Sequence, residues 1–263
     1  MNEHKINVEG GFTIRLKTEG KYCDRDIIIE ASGGAEDLND ILIEQTSLIQ
    51  ELKETLEGKA SGGGCSNTLN EFLAGTLEEV DCDEVEVLNQ YFFYRNPGIK
   101  RVRLANVVGV GSYNFNYCDY LESVDLPEAS GNTGNYFCNN CDNLKRVNIP
   151  KILEIGNYAF QSSPSIEFID LPSVDSIGNY VFRYATNLTT LILRKTDGIV
   201  SRGSSVLASS GISNKKGYVY VPSALIEDYK VASGWSTLAS QFRALEDYTV
   251  DGTITGELDE NKI

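Results

Sequence analysis

His4 is the single histidine of the chain and stands in the opening stretch MNEHKINVEGGFTIRL, read here as a loose terminus. Ser–His–Asp and Cys–His schemes need an imidazole held against a nucleophile, so both are set aside, and histidine-based metal sites with them. Cys138 and Cys141 form a lone C-x-x-C with no second such pair and no nearby histidine, a set too small for a zinc site. Gly109 and Gly111 lack the strand, loop, long helix and later acidic residue that a dinucleotide site requires. Asp81 with Asp83 and Glu84 offers carboxylate pairs of glycosidase type, but surface carboxylates are ordinarily solvated. The same cluster lacks the ligand spacing and glycine of a calcium loop. The chain is therefore read as non-enzymatic, with no catalytic residue, no metal ligand and no cofactor.

The residues left with useful chemistry form a row. Arg95, Tyr117, Asn140, Ser162 and Tyr184 recur at intervals of 22 or 23, flanked by Tyr94, Tyr120, Asn139, Asn143 and Arg183. Tyrosine, asparagine, serine and arginine give contact area and adaptable hydrogen bonds at small ordering cost, as on antibody-like and sugar-binding faces. Arg95, Tyr117, Tyr120, Asn140, Ser162, Arg183 and Tyr184 are the candidate binding surface, and an ordinary solvated row of turns is the plain alternative.

A repeat positions that row. Units begin at Leu77, Ile99, Leu121, Leu144, Ile166 and Leu188, with spacings of 22, 22, 23, 22 and 22. Val80, Val102, Val124, Val147, Ile169 and Leu191 follow three residues in, and Cys82, Leu104, Leu126, Ile149, Leu171 and Leu193 two further on. This alternation predicts a short strand with one face inward, ended in three units by Pro127, Pro150 and Pro172. Each unit then carries a Gly-x-Tyr-x-Phe frame: Gly111, Tyr113 and Phe115, later Gly156, Tyr158 and Phe160, then Gly178, Tyr180 and Phe182. In the unit of Gly134 and Tyr136, Cys138 takes the Phe place, and the first unit has Asn89 with Tyr91 and Phe93. Cys118 and Cys141 share one position, occupied later by Ser163 and Ala185, and are read as small buried spacers. Lys100, Glu122, Lys145 and Glu167 alternate in sign along the units. Neighbouring coils about 4.8 Å apart would pair them for about 0.2–1 kcal/mol each.

Lys+Arg 23 against Asp+Glu 38 gives a net charge of -15, which repels nucleic acid and anionic membrane surfaces. No apolar run reaches membrane-spanning length and the first residues lack a signal-peptide core. The expectation is a soluble chain made in a cytoplasm, without membrane insertion, its six cysteines free.

The stretch LESVDLPEASGNTGNYFCNNCDNLKRVNIP and its neighbours closely resemble the BspA-like leucine-rich repeat family, over roughly 69–245. The resemblance implies a mainly β and irregular solenoid, closed by a cap in GYVYVPSALIEDYKVASGWSTLASQFRAL, where Pro222 ends a repeat-like strand and Trp235 covers the last coil. Such families include bacterial surface adhesins and many phage and prophage proteins. Phe12 to Ser32 alternates apolar and polar residues as in a small antiparallel β unit. It also resembles a segment of structural proteins of phages that infect Gram-positive gut bacteria. Leu38, Leu42, Gln45, Ile49, Leu52 and Leu56 follow at alternating steps of four and three. That spacing predicts a short coiled coil, with an ordinary amphipathic helix packed on its own chain as the alternative, and the widening stripe of Ile41 and Leu48 favours a homotrimer.

The expected order is a β attachment module over 1–33, an oligomerisation helix over 34–57, a Gly-rich linker over 58–68, the solenoid over 69–217, the cap over 218–248 and an acidic tail over 249–263. The expected role is a phage virion structural protein (fibre, appendage or decoration) that contacts other virion proteins through the N-terminal module. Its repeats would display a surface for a host glycan or protein. A bacterial adhesin or interaction scaffold, and a glycan-degrading tail enzyme, are the alternatives.

Overall fold

The computed structural model describes residues 2–8, 12–19, 26–32, 78–81, 85–250 and 253–254. The chain divides into two compact units, Met1–Ala74 and Gly75–Ile263. In the first, strands Asn2–Val8, Phe12–Glu19 and Asp26–Ser32 form an antiparallel sheet with Phe12–Glu19 in the middle. The alternation of Phe12 to Ser32 announced two of these strands. Asn2–Val8 is apolar only at Ile6 and Val8, too sparse a pattern to announce the third, so the stretch read as a loose terminus is instead a strand in which His4 pairs with Leu16. The proposed coiled-coil positions Leu38, Leu42, Gln45, Ile49, Leu52 and Leu56 lie outside the described residues, as do Cys23, Cys65 and Cys82.

The second unit is a solenoid of parallel β coils. Glu79–Asp81, Arg101–Arg103, Ser123–Asp125 and Arg146–Asn148 pair side by side in one sheet. Their central residues, Val80, Val102, Val124 and Val147, point into the core as the alternation demands. Leu104, Leu126, Ile149 and Leu171 follow inward in each coil. A second parallel sheet joins Ser130–Asn132, Lys151–Ile155, Ser176–Ile177 and Ser201–Arg202 on another side of the coil. Each fully buried Leu or Phe contributes about 1.5–3 kcal/mol. Stacking supplies what one coil cannot, since a single turn has no second layer to cover it.

Two columns fix the distance between coils. Asn135, Asn157 and Asn179 form an amide ladder: Oδ1 of Asn135 accepts from Asn157 N–H at 2.8 Å, and Oδ1 of Asn157 from Asn179 N–H at 2.7 Å. Beside it run Gly134, Gly156 and Gly178. A Cβ on Gly156 would overlap the carbonyl of Gly134, so the backbones meet at a distance only glycine permits. The buried spacers make a third column. Cys118 Sγ donates to Phe93 O at 2.9 Å, Cys141 Sγ to Phe115 O at 2.9 Å and Ser163 Oγ to Cys138 O at 2.8 Å. Cys118, Cys138 and Cys141 are free thiols, fully buried.

Two expectations need correction. Cys138 does take the backbone place of Phe115, since its N–H bonds Ala159 O as Phe115 N–H bonds Phe137 O. The ring of that coil comes instead from Phe137, one residue earlier, which meets Phe115 and Phe160 edge-on at 5.3 and 6.0 Å. The charge ladder also closes only in part. Lys100 pairs with Glu78 at 2.8 Å, and Arg103 spans Asp81 and Asp125 at 3.1 and 3.3 Å. Lys145 and Glu167 form no ion pair among the described residues. The strands that follow them, Arg146–Asn148 and Phe168–Leu171, belong to different sheets, and both residues line an open depression at that break.

Beyond the break a third parallel sheet runs Phe168–Leu171, Thr190–Leu193, Tyr218–Val221 and Phe242–Ala244. Its outward positions turn apolar: Phe168 and Ile192 are buried under Tyr248, with Tyr220 and Leu245 against them. The last described part of the chain thus folds back over strands that would otherwise face water. In that sheet Asp170 is almost fully buried and takes both nitrogens of the Arg194 fork, Nε at 3.0 Å and Nη2 at 2.7 Å on Oδ2. Burial pushes the Asp170 carboxyl up in pKa, against the pull of Arg194. A short helix, Ile226–Val231, and the segment around Trp235 close the end of the core. Val200 is gripped there from both sides, its N–H by Tyr229 Oη at 2.9 Å and its carbonyl by Trp235 Nε1 at 2.8 Å.

Candidate binding surface

The row singled out in the sequence is a row in space, with a backbone conformation that spacing alone does not reveal. Arg95, Tyr117, Asn140, Ser162 and Tyr184 all have positive φ, between 53° and 64°. Four residues earlier in each coil Tyr91, Tyr113, Tyr136, Tyr158 and Tyr180 do the same, at 56° to 62°. A non-glycine residue in this left-handed region costs about 1–2 kcal/mol. Inter-coil hydrogen bonds hold it there. Tyr117 N–H reaches Asn139 O at 2.9 Å, Asn140 N–H reaches Gln161 O at 2.9 Å and Ser162 N–H reaches Arg183 O at 2.8 Å.

The earlier of the two positions, the Tyr of the Gly-x-Tyr-x-Phe frame, builds a feature that the spacing does not announce. Tyr91, Tyr113, Tyr136, Tyr158 and Tyr180 form one continuous pile of rings, with centroids 4.9, 4.7, 4.7 and 5.1 Å apart and planes within 14° of parallel. All five are only half-buried, so the pile forms part of the surface. Partial burial, then the flanking phenols of Tyr113 and Tyr158, push the Tyr136 hydroxyl above the ordinary tyrosine range. The constant spacing of Tyr was the available signal; its surface position was not, because it depends on which way the turn faces.

Two arginine platforms are built at the later row, Arg95 on it and Arg183 just before it. The Arg95 guanidinium stands 4.9 Å from the ring of Tyr117 and 5.4 Å from that of Tyr94. The Arg183 guanidinium stands 4.6 Å from Tyr184 and 5.4 Å from Tyr180, and its Nη2 donates to Tyr184 Oη at 2.8 Å. Tyr117 and Tyr184 are 43% and 41% exposed, so both platforms project. Asn140 and Ser162 between them are lower and half-buried, and Asn140 donates to the buried Asn139. Tyr120 is 56% exposed and makes no ring contact among the described residues. Beside it Asp119 is raised in pKa by partial burial and by Asp142, with Arg95 pulling it down. The structure therefore joins Arg95 to Tyr117 and Arg183 to Tyr184, leaves Asn140 and Ser162 as the floor between them, and leaves Tyr120 apart. Among the described residues no group of three or more His, Cys, Asp or Glu is placed to hold a metal ion.

Residues 71–167 and 153–216 match the BspA type leucine rich repeat region, in six copies. The chain belongs to the BspA-type leucine-rich repeat family. That membership accounts for the coil, its inward leucine positions and its stacking, and repeats of this kind point to a protein-interaction or adhesin-like role. No curated protein matches this BspA-type chain. No helix among its described residues is long and apolar enough to cross a membrane.

Proposed function

We propose that this BspA-type chain is a non-enzymatic structural protein of a phage particle, a fibre, appendage or decoration, whose solenoid displays the turn face as a contact surface for the host exterior. The observation that carries the contact surface is the projecting pair Tyr117 and Tyr184, held on backbones that the coil stack fixes in advance. A preformed surface loses little entropy on binding. The phage setting is supported by the resemblance of Phe12 to Ser32 to phage structural segments. In this reading the N-terminal module mounts the chain on other virion proteins and the helix over 34–57 makes a homotrimer, multiplying weak contacts through effective concentration.

The test uses the full-length chain and host cells. Tyr117→Ala with Tyr184→Ala should lower cell attachment at least ten-fold while leaving the melting transition in place, because alanine keeps the same backbone cost as tyrosine at both sites. Unchanged attachment would end the contact-surface reading. Absence of the chain from purified particles, by immunogold labelling, would end the virion reading and leave a bacterial adhesin or scaffold. Release of oligosaccharide from host walls would overturn the non-enzymatic one.

A further inference from the structure

We infer that the turn face binds a short acidic oligosaccharide laid along the solenoid axis, its anionic groups met by Arg95 at one end and Arg183 at the other. This rests on the contact-surface reading and names its ligand class. The two platforms share one constellation, a guanidinium over two tyrosine rings, but are built from different positions of the repeat. Arg95 belongs to the positive-φ row, whereas Arg183 immediately precedes it. A feature that recurs out of register is not a by-product of the repeat frame.

These two arginines, like Lys145, stand outside the ion pairs of the coil's described residues. In a chain of net charge -15, strand-face cations such as Lys100, Arg103 and Arg194 have carboxylate partners. Arg95 and Arg183 form no ion pair among the described residues, although the Asp119 carboxylate lies near enough to Arg95 to feel its charge, and a guanidinium offers five donors in a planar fork suited to a carboxylate. Each guanidinium is held over its rings, and Arg183 spends one Nη2 donor on Tyr184 Oη, which leaves its remaining donors for an oxyanion.

The floor suits hydroxyls. From Tyr117 to Tyr184 the row climbs three coils, about 14 Å at about 4.8 Å per step, over Asn140 and Ser162. Behind it Asn116 Oδ1 and Gln161 Oε1 are buried without a donor. A buried amide oxygen without a donor is costly, so both side chains gain by turning toward hydroxyl groups on the face. The ligand that answers the whole pattern is extended and hydroxyl-rich, offers flat sugar faces to Tyr117 and Tyr184, and carries negative charge at two points three to four coils apart.

The experiment measures binding of the full-length chain to a hexasaccharide of alternating uronic acid and hexosamine, to the same hexasaccharide with its carboxyl groups reduced, and to the parent disaccharide. The expected result is affinity for the acidic hexasaccharide at least ten-fold above both others, falling as salt rises. Arg95→Gln with Arg183→Gln should bring the acidic and reduced forms to equal affinity with melting unchanged. Equal binding of the two hexasaccharides by the unaltered chain overturns the acidic ligand, and equal binding of the disaccharide overturns the two-ended site. If no hexasaccharide binds while attachment to cells still depends on Tyr117 and Tyr184, the inference fails and the contact surface stands. If attachment ignores those tyrosines as well, both fail.

Discussion

Tyr136 shows how a side chain can be both packing and surface. Its ring lies 4.7 Å from those of Tyr113 and Tyr158, and burial followed by those two phenols raises its pKa. An unfolded tyrosine loses its proton near about pH 10, while Tyr136 in the pile keeps its own to higher pH. Between the two ionisations the unfolded chain binds fewer protons than the folded one, so stability falls as pH rises through that window. Tyr136→Phe should flatten the alkaline part of a denaturation-midpoint profile; an unaltered slope would show that the pile does not couple to titration. A second residue pair is sharper in energy. Arg194→Met strands the buried Asp170 carboxylate and should cost about 3–5 kcal/mol in urea unfolding, most of it recovered when Asp170→Leu is added. Equal loss in the single and double variants would show that packing, not charge, dominates there.

The coil was legible from its sequence wherever one position recurs with one burial class. Leu126 and Leu171 were assigned inward by period alone and are fully buried, and Cys118 and Cys141 were assigned as buried spacers from their shared place. Three things escaped that reading, each for a physical reason. Positive φ at Tyr117 or Ser162 is imposed by bonds from the next coil, and neither residue type advertises it. The ring of Phe137 replaces one at Cys138 because a neighbouring side chain can fill the same volume from a different backbone position. Tyr248 covers Phe168 from eighty residues away, beyond any local pattern. The close contact between coils gives the element-scale prediction. Gly156→Ala forces a Cβ into the Gly134 backbone and should cost about 3 kcal/mol or more. Gly109→Ala meets only Val87 methyls, the nearest at 3.7 Å, and should change stability by less than about 1 kcal/mol. Similar melting shifts for both would deny that glycine sets the coil spacing.

Across the whole chain, excess acid and a one-dimensional stack divide the labour. The charge of -15 discourages indiscriminate association, so any self-assembly has to come from a dedicated segment. Sedimentation should accordingly report a trimer for the full chain and a monomer for a fragment starting at Asn67. A monomeric full chain would remove the coiled coil from the proposal, and a trimeric fragment would move the assembly surface onto the solenoid.

Because every coil repeats one backbone path, distance along this molecule is counted in whole units. Excision of 144–165, one complete unit, would set Tyr136 directly under Tyr180 and Asn140 beside Tyr184, keeping the glycine contact, the ring pile and the inward leucines in phase. The arginine platforms would then stand closer by one inter-coil step, about 4.8 Å, with neither of them altered. The solenoid is in this sense a ruler: gain or loss of a unit changes its reach by a fixed increment, and a lineage could fit it to longer or shorter ligands without redesigning either end.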